Sequence, residues 1–126
     1  MKAILDTSVL LATNVAELKG ELAISAASLA ELHFGVLVTA DAAIRAERLR
    51  RLSDLQRNFD ALPVDDEVAV SYGQLAAALA DSGRQPRSRV MDLLIAATAH
   101  AHAARLYTRN AADLVGIEHL VDIVAV

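Results

Sequence analysis

Short apolar runs alternate along the chain with longer stretches rich in alanine and leucine, and the two kinds of segment predict different elements. Lys2 to Asp6, Leu22 to Ser25, Arg105 to Thr108 and Val121 to Val126 have the length of strands. Ala61 to Val64 is a weaker fifth candidate, because Pro63 has no N–H to give to a ladder. Between them, Ala26 to Thr39 reads as a helix that Ser25 or Ser28 would cap. Asp41 to Phe59 reads as a second, with Leu49, Leu52, Leu55 and Phe59 on one stripe. A third starts at Asp65 or Asp66 and ends near Ser82-Gly83, where glycine suits a left-handed terminus. A fourth runs from about Ser88 to Ala103, and Asn110 to Leu114 adds a short turn. Strands alternating with helices in this order predict an α/β protein with a parallel sheet covered on both faces.

Composition narrows the picture. At 126 residues, without repeats, low-complexity segments or Pro/Gly-rich linkers, the chain is expected to be one domain over residues 1–126. Hydrophobic residues make up 55% of it against 22% charged, which excludes disorder as the dominant state and leaves apolar surface for a partner chain. The absence of cysteine excludes disulfides and thiolate metal sites. Asp6 breaks the N-terminal apolar run before it reaches the roughly 7–15 residues of a secretory signal. The later run Leu93 to Ala99 is far too short for a bilayer, so the expectation is a cytoplasmic protein with no membrane partner.

A net charge of −4 argues against a general nucleic-acid coat held by phosphate contacts. Acids that hold a divalent cation would lower that total while the bound ion reversed the local sign. The arginines fall unevenly, with Arg45, Arg48, Arg50, Arg51 and Arg57 in one segment and Arg84, Arg87 and Arg89 in another. Solvated helix faces and a loop are the simpler account of both groups, with contacts to an anionic partner as the other.

Four acids stand out against this background. Asp6 ends the first strand candidate, and in open parallel sheets ligands gather outside the carboxyl ends of the strands. As Asp6 is followed by Thr7 and Ser8 ahead of another apolar run, it also has the makings of a helix cap. Glu31 lies in LAELHFG, in the helix after the second strand. Asp92 lies in RVMDLLIAATAHA, a segment apolar enough to be largely buried, so an acid there must cap, pair or bind a cation. Asp113 follows the fourth strand in YTRNAADL, with Thr108 and Asn110 close by. Brought to one end of a sheet without a cation, the four would repel and raise one another's pKa values. Carboxylate oxygens without histidine or thiolate favour Mg²⁺ or Mn²⁺, and a site of that kind suits phosphodiester hydrolysis.

AILDTSVLLA, AISAASLAELHFGV, DLLIAATAHA and LYTRNAADL, taken together and in that order, resemble the PIN-domain family, in particular the bacterial VapC-type toxins of type II toxin–antitoxin pairs. The resemblance spans nearly the whole chain. It implies a three-layer α/β/α sandwich with a central, mainly parallel sheet. It also implies a Mg²⁺-dependent endoribonuclease, usually dimeric or in a toxin–antitoxin hetero-oligomer, that is held inactive by a cognate antitoxin. Asp6, Glu31, Asp92 and Asp113 match the family's four acids, of which Asp6, Asp92 and Asp113 would hold the metal directly or through water. Glu31 would then orient a water or bind a second ion. Thr7 or Ser8 matches the hydroxyl residue after the first acid, and Thr108 and Asn110 match polar positions before the last. Arg109, beside that acid, is the candidate for contact with RNA. The segment from Asp6 to Glu31 is shorter than the family's usual one, and Leu114 stands where an aromatic is common.

The histidines make no rival site, since His100 and His102 diverge on a helix, as do His33 and Glu31. With two phenylalanines, two tyrosines and no tryptophan, a base-stacking platform is not expected. A catalytically inactive PIN-like module that only binds protein is the alternative, its groove for a partner helix marked by the leucine stripe from Leu49 to Phe59.

Overall fold

A computed structural model describes residues 1–12 and 15–126. Five strands, β1 (Lys2–Leu5), β2 (Glu21–Ser25), β3 (Ala61–Leu62), β4 (Arg105–Thr108) and β5 (Ile123–Ala125), form one parallel sheet in the order β3-β2-β1-β4-β5. The helices are α1 (Thr7–Ala12), α2 (Ala26–Leu37), α3 (Ala42–Asn58), α4 (Asp66–Asp81) and α5 (Val90–Ala101). The doubtful fifth strand exists, but as two residues on the sheet edge directly before Pro63, the one place where a missing donor is harmless.

Strand residues alternate between two cores. Ala3 and Leu5 of β1, with Ile24 and Tyr107, pack on one face beside Val9 and Leu10 of α1. Ile4, Ala23 and Leu106 turn to the other face and meet Val68, Leu75 and Leu79 of α4 and Leu93, Ile95 and Ala96 of α5. The sheet is thus the middle of three layers. The chain runs outward from β1 through β2 to β3, then crosses back through α4 and α5 to lay β4 on the other side of β1. That reversal makes the gap between the carboxyl ends of β1 and β4 the switch point of the sheet, where side chains from both directions of winding converge.

The caps follow from composition. Ser25 closes α2 by accepting from the Ala27 N–H at 3.1 Å, Asp41 closes α3 through the Ile44 N–H, and Asp65 closes α4 through the Val68 N–H. The fourth expected helix is split: a 3-10 turn over Pro86–Arg89 precedes α5, because proline fixes the turn's first residue. The stripe on α3 holds only in part. Leu52 is buried and Leu55 and Phe59 are partly so, while Leu49 is 51% exposed, since it is rotated away from the seam the others share.

Candidate active site

Asp6 follows β1 immediately and is buried, with 8% of its surface exposed. Its backbone carbonyl takes the first N–H groups of α1, those of Val9 and Leu10, but its side chain does not serve the helix. Instead, Oδ2 accepts two hydroxyls, from Ser8 at 2.6 Å and from Thr108 at 2.9 Å. Thr108 ends β4 and is fully buried, so the sheet itself sets the aim of the Asp6 carboxylate. The same Thr108 oxygen accepts the Asn110 N–H, and the Ser8 oxygen accepts the Arg109 N–H, so the loop after β4 is fastened to the residues after β1.

Glu31 reaches the site from α2. Thr7 donates its hydroxyl to Glu31 Oε1 at 2.7 Å and is hydrogen-bonded to the buried Ser28 at 3.0 Å. Ser28 and Glu31 are three apart on α2 and so share the face that looks toward α1. Beneath them, the hydroxyls of Thr98 of α5 and Ser25 are hydrogen-bonded at 3.0 Å in a wholly buried pair, and this fixes α5 against the start of α2.

Asp92 lies in the first turn of α5, two residues past the helix start, and the N-cap position belongs to Arg89. Burial foremost, and then the charges of Asp6, Asp113 and Glu31 in that order, raise the Asp92 carboxyl above its ordinary value of 3.8, while Arg89 pulls the other way. Asp6, Asp113 and Glu31 therefore all act on Asp92 across the switch point. Asp113 sits in the 3-10 turn Ala111–Leu114 and pairs with Arg89 at 3.2 Å, both side chains 37% exposed.

The chain matches the PIN-domain family over residues 3–113. This chain belongs to the PIN-domain family. Ribonuclease VapC5 of Mycobacterium tuberculosis is 40% identical to it over 113 residues, which cover 85% of this chain and 82% of the relative. Ribonuclease VapC8 of the same species is 36% identical over 100 residues, 76% of this chain and 88% of the relative. The crystal structure of a member of the VapBC family of toxin–antitoxin systems, VapBC-5 from Mycobacterium tuberculosis, superposes with a TM-score of 0.84 at 35% identity, over 99% of this chain and 97% of that one. Among PIN domains, its likeness is to the VapC type.

In this PIN domain the donor set around the switch point is carboxylate and hydroxyl oxygen, which suits a hard divalent cation. No three acidic or histidine side chains among the described residues stand close enough to form a ready cation cage. Mg²⁺ does not need one, since it keeps several waters and takes one or two carboxylates together with substrate phosphate. The cost that repulsion imposes on an ionised Asp92 is what a cation would remove.

The side chains of Arg109 and Asn110 are exposed beside this PIN domain's acids, and their backbone N–H groups hold the loop. His100 is used elsewhere, bonded through Nδ1 to Ser71 at 2.8 Å between α5 and α4. Two contributors were not evident as site residues in the sequence. Arg89 was one of a loop cluster of arginines, although its place three residues before Asp92 was a usable signal. Thr98 was a hydroxyl in an apolar helix, and only the fold reveals its partner 73 residues away.

Proposed function

We propose that this PIN domain is a Mg²⁺-dependent endoribonuclease toxin of the cytoplasm, Mn²⁺ serving as a substitute, that cuts RNA phosphodiesters at Asp6, Glu31, Asp92 and Asp113 and is neutralised by a cognate antitoxin. The observation that carries this reading is the influence of Asp6, Asp113 and Glu31 on Asp92, the four acids coming from four elements at the sheet's switch point. Its ribonuclease relatives, and the toxin–antitoxin complex it superposes on, support the substrate and partner.

Asp6, Asp92 and Asp113 would hold the ion, in part through water. When bound, the ion supplies a polarised phosphoryl oxygen and water of lowered pKa. The rest falls to the chain. Asp6 is held rigid by Ser8 and Thr108, so one carboxylate oxygen stays aimed at the crevice without the entropy cost of ordering it at each turnover. Glu31, oriented by Thr7, is placed to receive a proton from an attacking water. Arg89 is near enough to leave Asp113 and meet a phosphate that arrives with its own negative charge. Asn110 and Arg109 flank the entrance. The chain would act as a homodimer or within a toxin–antitoxin hetero-oligomer.

The test is incubation of the purified chain, freed of any co-purifying small protein, with total cellular RNA, once with Mg²⁺ and once with chelator. A discrete product that requires Mg²⁺ is the expected result. No cleavage in either condition would favour the inactive, protein-binding module instead.

A further inference from the structure

A cavity of about 420 Å³ opens beside the acids, between α1, α2 and α3. Thr7 and Glu31, which belong to the acidic site, form one end of it, Leu32, Leu52 and Leu55 line its sides, and Arg48 and Arg51 stand on its α3 wall. Cavities of roughly 300–1,000 Å³ take small ligands or a nucleotide or two rather than a folded domain.

The arginines of α3 divide by what they touch. Arg50 and Arg57 pair with Glu47 and Asp54 on the outer face, with 69% and 73% of their side chains exposed. Arg45 closes the end of α2 through two bonds to the Thr39 carbonyl, at 3.0 and 2.7 Å. Arg48 and Arg51 turn to the cavity, and their acceptors are neutral. Arg48 donates to Thr39 Oγ1 at 2.7 Å and to the Gly35 carbonyl at 3.2 Å, and Arg51 donates to the Leu11 carbonyl at 3.3 Å. Among the described residues neither has a carboxylate within ion-pair distance. Each guanidinium carries five N–H donors, so both keep donors for an anion.

We infer that this groove is the subsite for the nucleotide flanking the scissile phosphate of a single-stranded RNA, its backbone phosphate held by Arg48 and Arg51 and its base laid against the leucines. The inference rests on the nuclease reading above and deepens it. A strand with one phosphodiester at Asp6 and Asp92 that leaves the site on the α2 side carries its next nucleotide past Glu31, whose charge repels phosphate, into this cavity. On that side of the acids, the positive charge free of an ion pair is the Arg48 and Arg51 wall of the cavity. Leucine side chains give base contact without aromatic stacking, so the subsite discriminates weakly by base and more by strand shape. An apolar peptide bearing an acid would match the same charges, and the experiment separates the two.

A fluorescein-labelled, unstructured RNA oligonucleotide is titrated with protein in chelator, where no cleavage occurs, at several salt concentrations, and Mg²⁺-dependent cleavage is followed in parallel. Arg48→Gln/Arg51→Gln is expected to weaken RNA binding about tenfold and to flatten the salt dependence by about 1.4 in log–log slope, two contacts at about 0.7 each. Its KM should rise while kcat holds. Arg50→Gln/Arg57→Gln, with the same change in net charge, should bind within about twofold of wild type. Because Arg48 and Arg51 also tie down helix ends, Arg48→Lys/Arg51→Lys is the second arm, and it should restore the salt slope. Lysine variants that behave like the glutamine ones would make the role structural and overturn the assignment, as would equal binding and KM for the inner and outer glutamine pairs. Unchanged RNA affinity with lost affinity for the protein that co-purifies with the chain would assign the groove to that partner and also overturn it. Wild type that cuts no RNA in Mg²⁺ would instead refute the nuclease reading on which the assignment depends.

Discussion

Thr108→Val removes a single oxygen from the base of the site and keeps the shape of the side chain. Valine has at least the strand preference of threonine, so β4 should be unaffected. The lost hydroxyl donates to a buried carboxylate at 2.9 Å and accepts the Asn110 N–H at 3.0 Å. A hydrogen bond to a charged group is worth about 1.5–3 kcal/mol, whereas the Asn110 N–H lies at an exposed residue where water can replace its acceptor. The expected loss is therefore about 2 kcal/mol, nearly all of it from Asp6. Urea unfolding of the metal-free chain at neutral pH measures this, alone and in an Asp6→Asn background. With a neutral amide as acceptor the penalty should drop to about 1 kcal/mol or less, leaving a coupling of about 1 kcal/mol in the double-mutant cycle. Cleavage should fall by about 10- to 100-fold, the range for loss of a group that orients a metal ligand. Equal penalties in both backgrounds, or a loss under about 0.5 kcal/mol, would refute the claim that β4 aims this carboxylate.

Asp92→Asn should abolish cleavage while making the metal-free chain more stable at pH 7. The Asp92 carboxyl titrates above 3.8 in the fold, so between the two pKa values the folded chain binds more protons than the unfolded one, and stability is lost as pH rises through that window. The advantage of asparagine should therefore vanish near about pH 3, below both values, and a thermal melt that shows the same gain at both pH values would contradict the assignment. Mg²⁺ at about a hundredfold excess over its Kd should stabilise wild type by about 2.7 kcal/mol and leave Asp6→Asn/Asp92→Asn unmoved in thermal melts. Gly116→Ala should cost about 1–3 kcal/mol in urea unfolding, because Gly116 has φ +113° and a Cβ there would lie 2.7 Å from Ser82 Oγ. A wild-type midpoint would show that this turn relaxes freely.

The site acids were visible in the sequence for an identifiable reason. A carboxylate at the end of an apolar run, or inside LLIAATA's helix, is costly without a partner, so its presence there already asks for an explanation. Whether Asp6 capped α1 or did chemistry was undecidable from DTS alone, because a cap and a ligand ask for the same residue types at the same place. In the fold the Asp6 carboxylate accepts the Thr108 and Ser8 hydroxyls and not a backbone N–H of α1, which removes the cap and leaves the chemistry to be tested. Arg89 and Arg48 were harder, since arginine on a helix or loop is ordinarily solvated, and only their neighbours distinguish them from Arg50 and Arg57.

Local rules determined the elements: apolar runs of strand length, serine and aspartate at helix starts, and proline and glycine at the breaks are all properties of neighbouring residues. The strand order was of another kind. Nothing in β4's four residues states that they lie beside β1 rather than beyond β3, and the return of the chain through α4 and α5 is what sets Thr108 against Asp6 across 102 positions of sequence. A catalytic constellation is a set of distances between residues far apart in the chain. Those distances are created by the packing of the two cores, which is a property of the whole sequence at once and of none of its segments.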